Sequence, residues 1–415
     1  MSGPETTVAS DQSAGPGPRR PVLVLAHVFP RTLEDSMGAF LLHLADALAA
    51  RGVPAEVVAP HAAGLADREV LGSARVHRFH YAPARWERLA YTGTMHELVG
   101  RSPVNLALFV LFNLAFLLKA LSVQRACRAR LIHAHWWLPG GLAGAVVSLL
   151  TRTPLVITTH GTDVEMLRRT RWAVPLARLA FGRAAAITCG STFLRDQLVA
   201  LGVADSRRVQ VIPMPVNPLF TVQPLSPVVD TGQAPLILTV ARLTRQKGVH
   251  ILIGALAVLR QRGCAARLAI IGDGPERGPL QAQAHALELD DGVEFLGALP
   301  SQDLPPHYAR CAVFVLPSIR EGMGLVLAEA LFCGVPVIAT NSGGVTDIVR
   351  EGETGLLVPE RDAGALAVAI ESMLHDRALA ARLAANGQAW VRDRFDPARV
   401  AGRFGELYAG ACSHA

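Results

Sequence analysis

The sequence has few aromatic residues, few charges and no closely paired cysteines. Aromatic residues make up 6% of its 415 residues, and charged residues make up 18%. Because no run of basic residues is interleaved with aromatic side chains, the composition argues against binding of nucleic acid. The six cysteines are scattered, and none forms a Cys-x-x-Cys pair. This pattern argues against a disulfide framework and a zinc site, and it predicts a reducing, cytoplasmic compartment.

A secretion signal and a clear membrane span are also missing. The first twenty residues are rich in Gly, Pro, Ser and Thr and have no apolar core, so we expect a disordered tail and not a signal peptide. The longest apolar run, residues 104–118, contains two asparagines and is shorter than the roughly 20 residues that span a bilayer. It predicts a helix that is either buried in the core or docked at the inner face of the plasma membrane.

The chain is long enough and apolar enough for two filled domains. Hydrophobic residues make up 51% of the sequence, and a chain of this length ordinarily divides in two. The formal net charge of +6 and the pI of about 9.3 suit a partner that carries negative charge. Anionic membranes and phosphorylated substrates are two such partners.

Short apolar runs alternate with helical patterns along the chain, which predicts an α/β protein with parallel, doubly wound sheets. The runs lack strict alternation of apolar and polar residues, as in strands buried on both faces. We predict a tail at 1–20, a Rossmann-like domain at 21–215, a linker at 216–234, a second such domain at 235–396 and a final helix at 397–415. The predicted strands are 22–26, 55–59, 131–134, 155–159, 185–189, 209–212, 236–240, 267–271, 293–296, 313–316, 335–339 and 355–358.

Two glutamates eight positions apart, Glu321 and Glu329, lie around the start of a predicted helix at 325–332. Gly322 and Gly324 allow the backbone between them to pass close to a ligand. The N-terminus of a helix binds phosphate well, whereas carboxylates repel phosphate and suit hydroxyl groups. The segment therefore favours a nucleotide-sugar over a bare nucleotide. The alternative is that both glutamates are solvated.

Basic and polar residues follow other predicted strands. Arg242 and Lys247 follow strand 236–240 and can reach one diphosphate, the arginine as a fork and the lysine as a point charge. A basic surface loop is the alternative. His160 ends strand 155–159 and is followed by a glycine and Asp163, which favours a ligand-binding loop, although Asp163 is equally suited to capping a helix.

Two further patterns concern metal. His133 and His135, at strand spacing, point the same way and could bind a metal ion, but no Asp, Glu or Cys cluster accompanies them. The chain has no Asp-x-Asp pair, a spacing of carboxylates that could hold a metal ion. We therefore predict no metal and no other cofactor.

Taken together, Arg242, Lys247, Glu321 and Glu329 resemble the motifs of the retaining glycosyltransferases of family 4, which have the GT-B fold. The resemblance runs from residue 21 to about residue 408. It implies two Rossmann-like domains facing across a cleft, with the acceptor on the first and the donor on the second. It also implies that the final helix packs back on the first domain.

The resemblance implies roles for single residues. Arg242 and Lys247 would neutralise the donor diphosphate, Glu321 would meet the sugar hydroxyls, Glu329 the ribose, and His160 the donor sugar. Further donor contacts are implied at Gly38, Gly272, Leu296, Gly322, Met323, Gly324, Leu325 and Gly343. At Gly38 a simple helix start capped by Ser36 is an alternative.

The expected activity is metal-independent transfer, with retention, of a sugar from a UDP- or GDP-sugar. The acceptor would be a glycan, a lipid-linked precursor of a cell-envelope polysaccharide, or a small molecule. Two other classes stay open. The fold also serves nucleotide-sugar epimerases and sugar phosphorylases, and a protein that binds sugar nucleotides without catalysis would share the same cleft.

Overall fold

The computed structural model describes residues 20–91, 95–100, 102–222 and 234–413. The predicted N-terminal tail, apart from Arg20, and most of the predicted linker lie outside these residues. Within them the chain forms two α/β domains, each built on one sheet. The predicted fold class is confirmed.

The N-terminal domain has an eight-stranded sheet in the order β3-β4-β2-β1-β5-β6-β7-β8, in which only β3 runs antiparallel to its neighbour. Its strands are β1 (Val22–Leu25), β2 (Ala55–Pro60), β3 (Arg68–Leu71), β4 (Ala74–Phe79), β5 (Leu131–His135), β6 (Leu155–Thr159), β7 (Ala186–Cys189) and β8 (Val209–Val211). Strands β3 and β4 were not predicted. Both carry arginines, β3 lies at the edge of the sheet and β4 exposes Arg75, so they lack the apolar run of a buried strand.

Helices cover both faces of this sheet and bury two separate cores. They are α1 (Ala39–Ala49), α2 (Met95–Gly100), α3 (Pro103–Cys127), α4 (Leu142–Thr151), α5 (Thr162–Arg169), α6 (Val174–Arg183), α7 (Thr192–Ala200) and the short α8 (Leu219–Val222). Helices α3, α4 and α6 pack side by side on one face, and α1 lies on the other.

The C-terminal domain has a six-stranded parallel sheet in the order β11-β10-β9-β12-β13-β14. Its strands are β9 (Leu236–Val240), β10 (Arg267–Ile271), β11 (Val293–Gly297), β12 (Val313–Leu316), β13 (Val337–Thr340) and β14 (Leu356–Val358). Its helices are α9 (Val249–Gln261), α10 (Arg277–Ala286), α11 (Pro305–Arg310), α12 (Leu325–Phe332), α13 (Ala363–His375) and α14 (Arg377–Phe395), and α15 (Pro397–Ser413) follows.

Each sheet has a point where the chain reverses its direction of winding. In the N-terminal domain this point lies between β1 and β5, and in the C-terminal domain between β9 and β12. The loops that leave the two central strands diverge there, so a crevice opens at the carboxyl end of the sheet. Ligands of doubly wound sheets bind in this crevice.

The last helix, α15, returns to the N-terminal domain. Val400, Phe404 and Tyr408 are buried in the same core as α1. The Tyr408 hydroxyl lies 2.7 Å from His133 Nδ1, and His133 Nε2 lies 2.6 Å from the hydroxyl of Thr158. The C-terminal segment of the chain therefore helps to fix a histidine of the central strand β5.

Helix α3 extends well beyond the apolar run that predicts it, to 25 residues. By length and composition it resembles a membrane span. However, Phe112 and Phe116 are wholly buried in the core of the N-terminal domain. The opposite side is apolar and 47–60% exposed, at Val104, Leu106, Val110, Leu111, Leu114 and Leu118. The helix is therefore partly core and partly an exposed apolar face.

Candidate active site

An ion pair joins the two loops at the switch point of the C-terminal domain. Lys247 follows β9 and Glu321 follows β12, and Lys247 Nζ lies 2.6 Å from Glu321 Oε2. Burial raises the pKa of Glu321, but the charge of Lys247 and hydrogen bonds from Lys247 and the Gly322 amide bring that pKa below its ordinary value. The carboxylate is thus ionised. The sequence predicts both residues as ligand contacts, and the structure pairs them with each other.

The backbone holds these two loops together as one unit. The Ile319 amide donates to the Gln246 carbonyl at 2.7 Å, and Gln246 Nε2 donates to the Arg320 carbonyl at 3.2 Å. Gly248, which opens α9, has a φ of +67°, and a Cβ there would stand 1.9 Å from the Pro317 carbonyl oxygen. A residue with a side chain at position 248 would push the loops after β9 and β12 apart. Arg242, at the end of β9, lies at the surface of the same unit.

Glu329 lies on α12, where it is partly exposed. Its Oε2 accepts a hydrogen bond from the buried Tyr308 hydroxyl at 3.2 Å. Burial raises the pKa of Glu329 to about 7, although the bond from Tyr308 lowers it. The carboxyl group is therefore close to half protonated at neutral pH. Tyr308 lies in no motif that would have pointed to it in the sequence.

The loop after β13 packs against the backbone of Glu321. The Gly344 amide donates to the Glu321 carbonyl at 2.8 Å. A Cβ at Gly343 would stand 2.0 Å from the Glu321 carbonyl oxygen, and one at Gly344 would stand 2.2 Å from that of Gly322. The two glycines are thus required by close approach of backbone to backbone.

The other predicted donor contacts lie on adjoining loops. The Gly272 amide donates to the Gly297 carbonyl at 2.8 Å, next to the partly buried Leu296. The Leu243 amide donates to the Asp273 carbonyl at 2.9 Å, which joins this turn to the Arg242 loop. Gly324 precedes α12, and Met323 and Leu325 reach across to the core of the N-terminal domain.

Gly38 and Ser36 lie where the N-terminal domain opens its first helix. Gly38 occupies the N-cap of α1 with a φ of +78°, and no side chain caps this helix. Capping by Ser36 is therefore wrong. Because a Cβ at Gly38 would stand 3.1 Å from the Val28 carbonyl oxygen, the glycine allows the loop to fold closely on the end of β1.

A neutral histidine forms the facing wall. His160 ends β6, and its Nε2 lies 2.9 Å from His135 Nδ1. The rings of Trp136 and Phe40 lie 4.4 and 5.1 Å from it, centroid to centroid. Burial lowers the pKa of His160 to about 3. His133 and His135 are both occupied by hydrogen bonds inside the domain, which argues against a metal ion between them.

Asp163 builds the His160 loop. Its Oδ1 accepts the backbone N–H groups of His160, Gly161 and Val164, each at 3.1 Å, and Oδ2 accepts the Trp137 amide at 3.1 Å. The side chain is buried, and burial raises its pKa to about 6. The N-cap of α5 is Gly161, and no side chain caps this helix, so Asp163 orders the loop through its backbone amides.

The two domains meet through the same loops. The Ser191 hydroxyl donates to the Gly322 carbonyl at 2.8 Å, and the Thr192 amide and hydroxyl donate to the Asp347 carboxylate at 2.6 and 2.9 Å. A Cβ at Gly161 would stand 3.5 Å from Gly322 Cα. The loops that carry His160 and Glu321 are therefore neighbours. No sequence motif identified Ser191, Thr192 or Asp347.

Comparisons with known proteins agree with this arrangement. The family described as Glycosyltransferase Family 4 matches residues 37–218, and the family described as Glycosyl transferases group 1 matches residues 228–390. A GDP-mannose-dependent alpha-(1-6)-phosphatidylinositol monomannoside mannosyltransferase of Mycolicibacterium smegmatis is 31% identical over 290 residues, which are 66% of this chain and 74% of that protein.

Solved structures are similar over nearly the whole chain. A sucrose-phosphate synthase from Thermosynechococcus elongatus has a TM-score of 0.76 at 25% identity, over 96% of this chain and all of the other. HepE of Anabaena, solved with UDP-glucose, has a TM-score of 0.67 at 22% identity, over 94% of this chain and 99% of the other. At 22% identity, the similarity to HepE shows only that the two chains share a fold.

The glycine pair after β13 yields a prediction about the domain contact. In Gly344→Ala the new Cβ meets the Gly322 carbonyl and Ser191, so we expect the two domains to separate and the radius of gyration in small-angle X-ray scattering to rise. We also expect the free energy of unfolding to fall by about 1–3 kcal/mol. Gly278→Ala is the matched control, since its Cβ meets nothing within 4 Å. An unchanged radius of gyration in Gly344→Ala would contradict the prediction.

Proposed function

The chain belongs to glycosyltransferase family 4 and has the GT-B fold, and on this premise we propose how it transfers sugar from its nucleotide-sugar donor. The donor is a UDP- or GDP-sugar, the transfer retains the configuration at the anomeric carbon, and no metal ion takes part. The observation that supports this best is the Lys247–Glu321 pair, which lies at the switch point of one domain beside the His160 loop of the other.

The donor diphosphate is held by positive charge from the C-terminal domain. Lys247 and Arg242 lie on the loop after β9, and the N-terminus of α9 opens at Gly248. Amide groups at a helix N-terminus bind phosphate. Such fixed donors stabilise the charge that grows on the departing diphosphate and take the place of a metal ion. On donor binding, the diphosphate competes with Glu321 for Lys247.

The carboxylates meet hydroxyl groups. Glu321, ionised and only 12% exposed, accepts hydrogen bonds from the transferred sugar, and Glu329 accepts them from the ribose. The bond from the anomeric carbon to the diphosphate oxygen breaks, and the acceptor oxygen bonds to that carbon from the same face. The departing phosphate oxygen takes the acceptor proton, so no protein base is required. His160, neutral because of its burial, lies against the donor sugar.

We propose that the enzyme docks on a membrane, because a surface of the N-terminal domain combines apolar and basic residues. The exposed face of α3 is apolar, and Leu149 and Leu150 at the end of α4 are 67% and 60% exposed. Exposed arginines lie at the C-terminal ends of three neighbouring helices, at Arg128, Arg152 and Arg183. These ends lie at one edge of the domain, because each helix leads into a parallel strand.

The charge of this region complements an anionic bilayer. Residues 98–195 contain twelve lysines and arginines and only two acidic residues, Asp163 and Glu165, and Asp163 is buried. The local excess of ten positive charges exceeds the +6 of the whole chain. Apolar faces flanked by basic residues bind anionic lipid surfaces. We propose a cytoplasmic enzyme that docks on the inner membrane face and extends a lipid-linked or cell-envelope glycan.

A panel of UDP- and GDP-sugars, each offered with lipid and glycan acceptors, tests the proposed reaction. Mass spectrometry and NMR of the product should show one transferred sugar with the anomeric configuration of the donor, in the presence of a chelator. Inversion at the anomeric carbon would overturn the retaining assignment. An epimerised donor, or phosphate-dependent release of sugar phosphate, would favour an epimerase or a phosphorylase instead.

Glu321→Ala should lose most of the transfer activity and still bind the nucleoside diphosphate, because Glu321 contacts the sugar and not the phosphate. We expect kcat to fall by at least about 10²-fold, in the range seen when a group that acts in the transition state is removed. Initial rates and titration calorimetry provide the two measurements. Glu353→Ala, at a glutamate whose side chain is 67% exposed, should behave as wild type. Wild-type turnover in Glu321→Ala would refute the role of this carboxylate.

Nucleotide affinity should depend on pH through Glu329. Its pKa of about 7 in the free protein means that the carboxylate needed by the ribose is the minor form below pH 7. Affinity for the nucleoside diphosphate should therefore rise about tenfold from pH 6 to pH 8. Glu329→Gln lacks this dependence and keeps only the pH dependence that comes from the phosphate groups. The ratio of the wild-type dissociation constant to that of Glu329→Gln therefore reports the contribution of Glu329 alone. A constant ratio across the range would contradict the prediction.

Membrane docking is tested by co-sedimentation with vesicles. The wild-type protein should sediment with vesicles that contain phosphatidylglycerol and much less with phosphatidylcholine alone. Leu114→Glu together with Leu118→Glu should reduce this binding, since both side chains lie on the exposed face of α3. Val368→Glu is the control, because Val368 is equally exposed, at 52%, on a helix of the other domain. Equal binding to both kinds of vesicle would overturn the proposal.

A further inference from the structure

Four side chains with metal-binding chemistry meet at one edge of the N-terminal sheet. His61 follows β2, Asp67 precedes β3, His80 follows β4, and Glu87 lies a few residues further on. One ligand atom from each of His61, Asp67 and His80 lies within 4.8 Å of the other two. The two imidazole rings lie 3.9 Å apart, centroid to centroid.

The ring nitrogens in this cluster have only hydrogen-bond acceptors as neighbours. Glu87 lies 2.7 Å from Nδ1 of His61 through Oε2 and 3.2 Å from Nδ1 of His80 through Oε1. On the other side of the rings, His61 Nε2 lies 3.1 Å from the Leu65 carbonyl oxygen, and His80 Nε2 lies 2.9 Å from Asp67 Oδ1. Glu87 is almost fully buried, with a side chain 2% exposed.

Two neutral imidazoles cannot satisfy this arrangement. Each carries one N–H group, so two protons serve four contacts with acceptors. If both Nδ1–H groups donate to Glu87, the lone pairs of both Nε2 atoms face oxygen atoms. A bound cation satisfies this arrangement, since it attracts the nitrogen lone pairs and the oxygen atoms at once.

We propose that this cluster binds a divalent transition-metal ion of the Zn²⁺ class. His61 Nε2, His80 Nε2 and Asp67 Oδ1 are the ligands, and the Leu65 carbonyl takes the fourth position. Tetrahedral zinc with bonds of about 2.0–2.1 Å has ligand atoms roughly 3.3 Å apart, close to the 2.9 and 3.1 Å found here. Glu87 orients both rings through Nδ1, as carboxylates do behind zinc-bound histidines.

The site is separate from the proposed sugar-transfer centre. In the sheet order β4-β2-β1-β5-β6, the strands that precede His61 and His80 lie three and four places from β6, which carries His160. At about 4.8 Å for each strand, this separation is roughly 14–19 Å. The proposed ion therefore lies away from His160. It joins the 61–67 segment to the 80–87 segment at the carboxyl edge of the domain that binds the acceptor.

Equilibrium dialysis of untagged, chelator-treated protein against Zn²⁺ tests the site. Wild-type protein should bind one equivalent, and Co²⁺ should give the intense visible absorption of a tetrahedral complex. His80→Ala and Asp67→Asn, at exposed side chains that leave the core intact, should lose this binding and spectrum. Glu87→Gln should weaken binding about 10- to 100-fold, as loss of a supporting carboxylate does.

The matched control is His285→Ala. His285 is an exposed histidine whose Nδ1 lies 2.9 Å from Asp290 in the C-terminal domain, and this variant should bind Zn²⁺ as wild type does. Circular dichroism reports whether each variant is folded. Absence of stoichiometric binding in the wild-type protein would overturn the proposal, as would equal binding by the wild type and folded His80→Ala. The histidines would then be an ion-pair cluster without metal.

Discussion

The ion pair between Lys247 and Glu321 is the interaction on which the cleft depends. It joins the loops that diverge from β9 and β12, where the sheet reverses its winding. A carboxylate as buried as Glu321 would be costly without a cation beside it, and removal of one partner leaves the other charge uncompensated. The backbone around Glu321 also accepts bonds from Gly344 and from Ser191 of the other domain. The Lys247–Glu321 pair therefore fixes the loops after β9 and β12. The backbone next to Glu321 makes the contact with the N-terminal domain.

This pairing gives the proposed chemistry a prepared site. Lys247 is already held beside an anion, so binding of a diphosphate replaces one anionic partner by another and leaves little reorganisation for the moment of reaction. Fixed donors of this kind are effective because they are oriented before charge develops. Glu321, once released from Lys247, remains bonded to the Gly322 amide. It is then ready to accept a hydroxyl group.

Sequence reasoning identified the parts of this structure that depend on local pattern. The buried strand Val22–Leu25 and the helix Leu325–Phe332 follow from apolar runs and from the residues that end them. Strands β3 and β4 were not predicted because Arg68, Arg75 and Arg78 interrupt the apolar pattern. The sequence also does not show which residues that are far apart along the chain contact each other. Lys247 and Glu321 are separated by 74 positions, and Thr192 and Asp347 by 155, so only the folded chain reveals that they meet. Tyr308 gives no signal, since it lies in a short helix, Pro305–Arg310, that carries no motif.

The two sides of the cleft differ in the charge of the groups that they present. The C-terminal wall presents charge, through Arg242, Lys247 and the two glutamates. The N-terminal side presents His160, which is neutral because burial lowers its pKa to about 3. A positive charge on the N-terminal side would draw the diphosphate away from the loop after β9. In the proposed reaction, a neutral His160 leaves the diphosphate beside Lys247 and the start of α9.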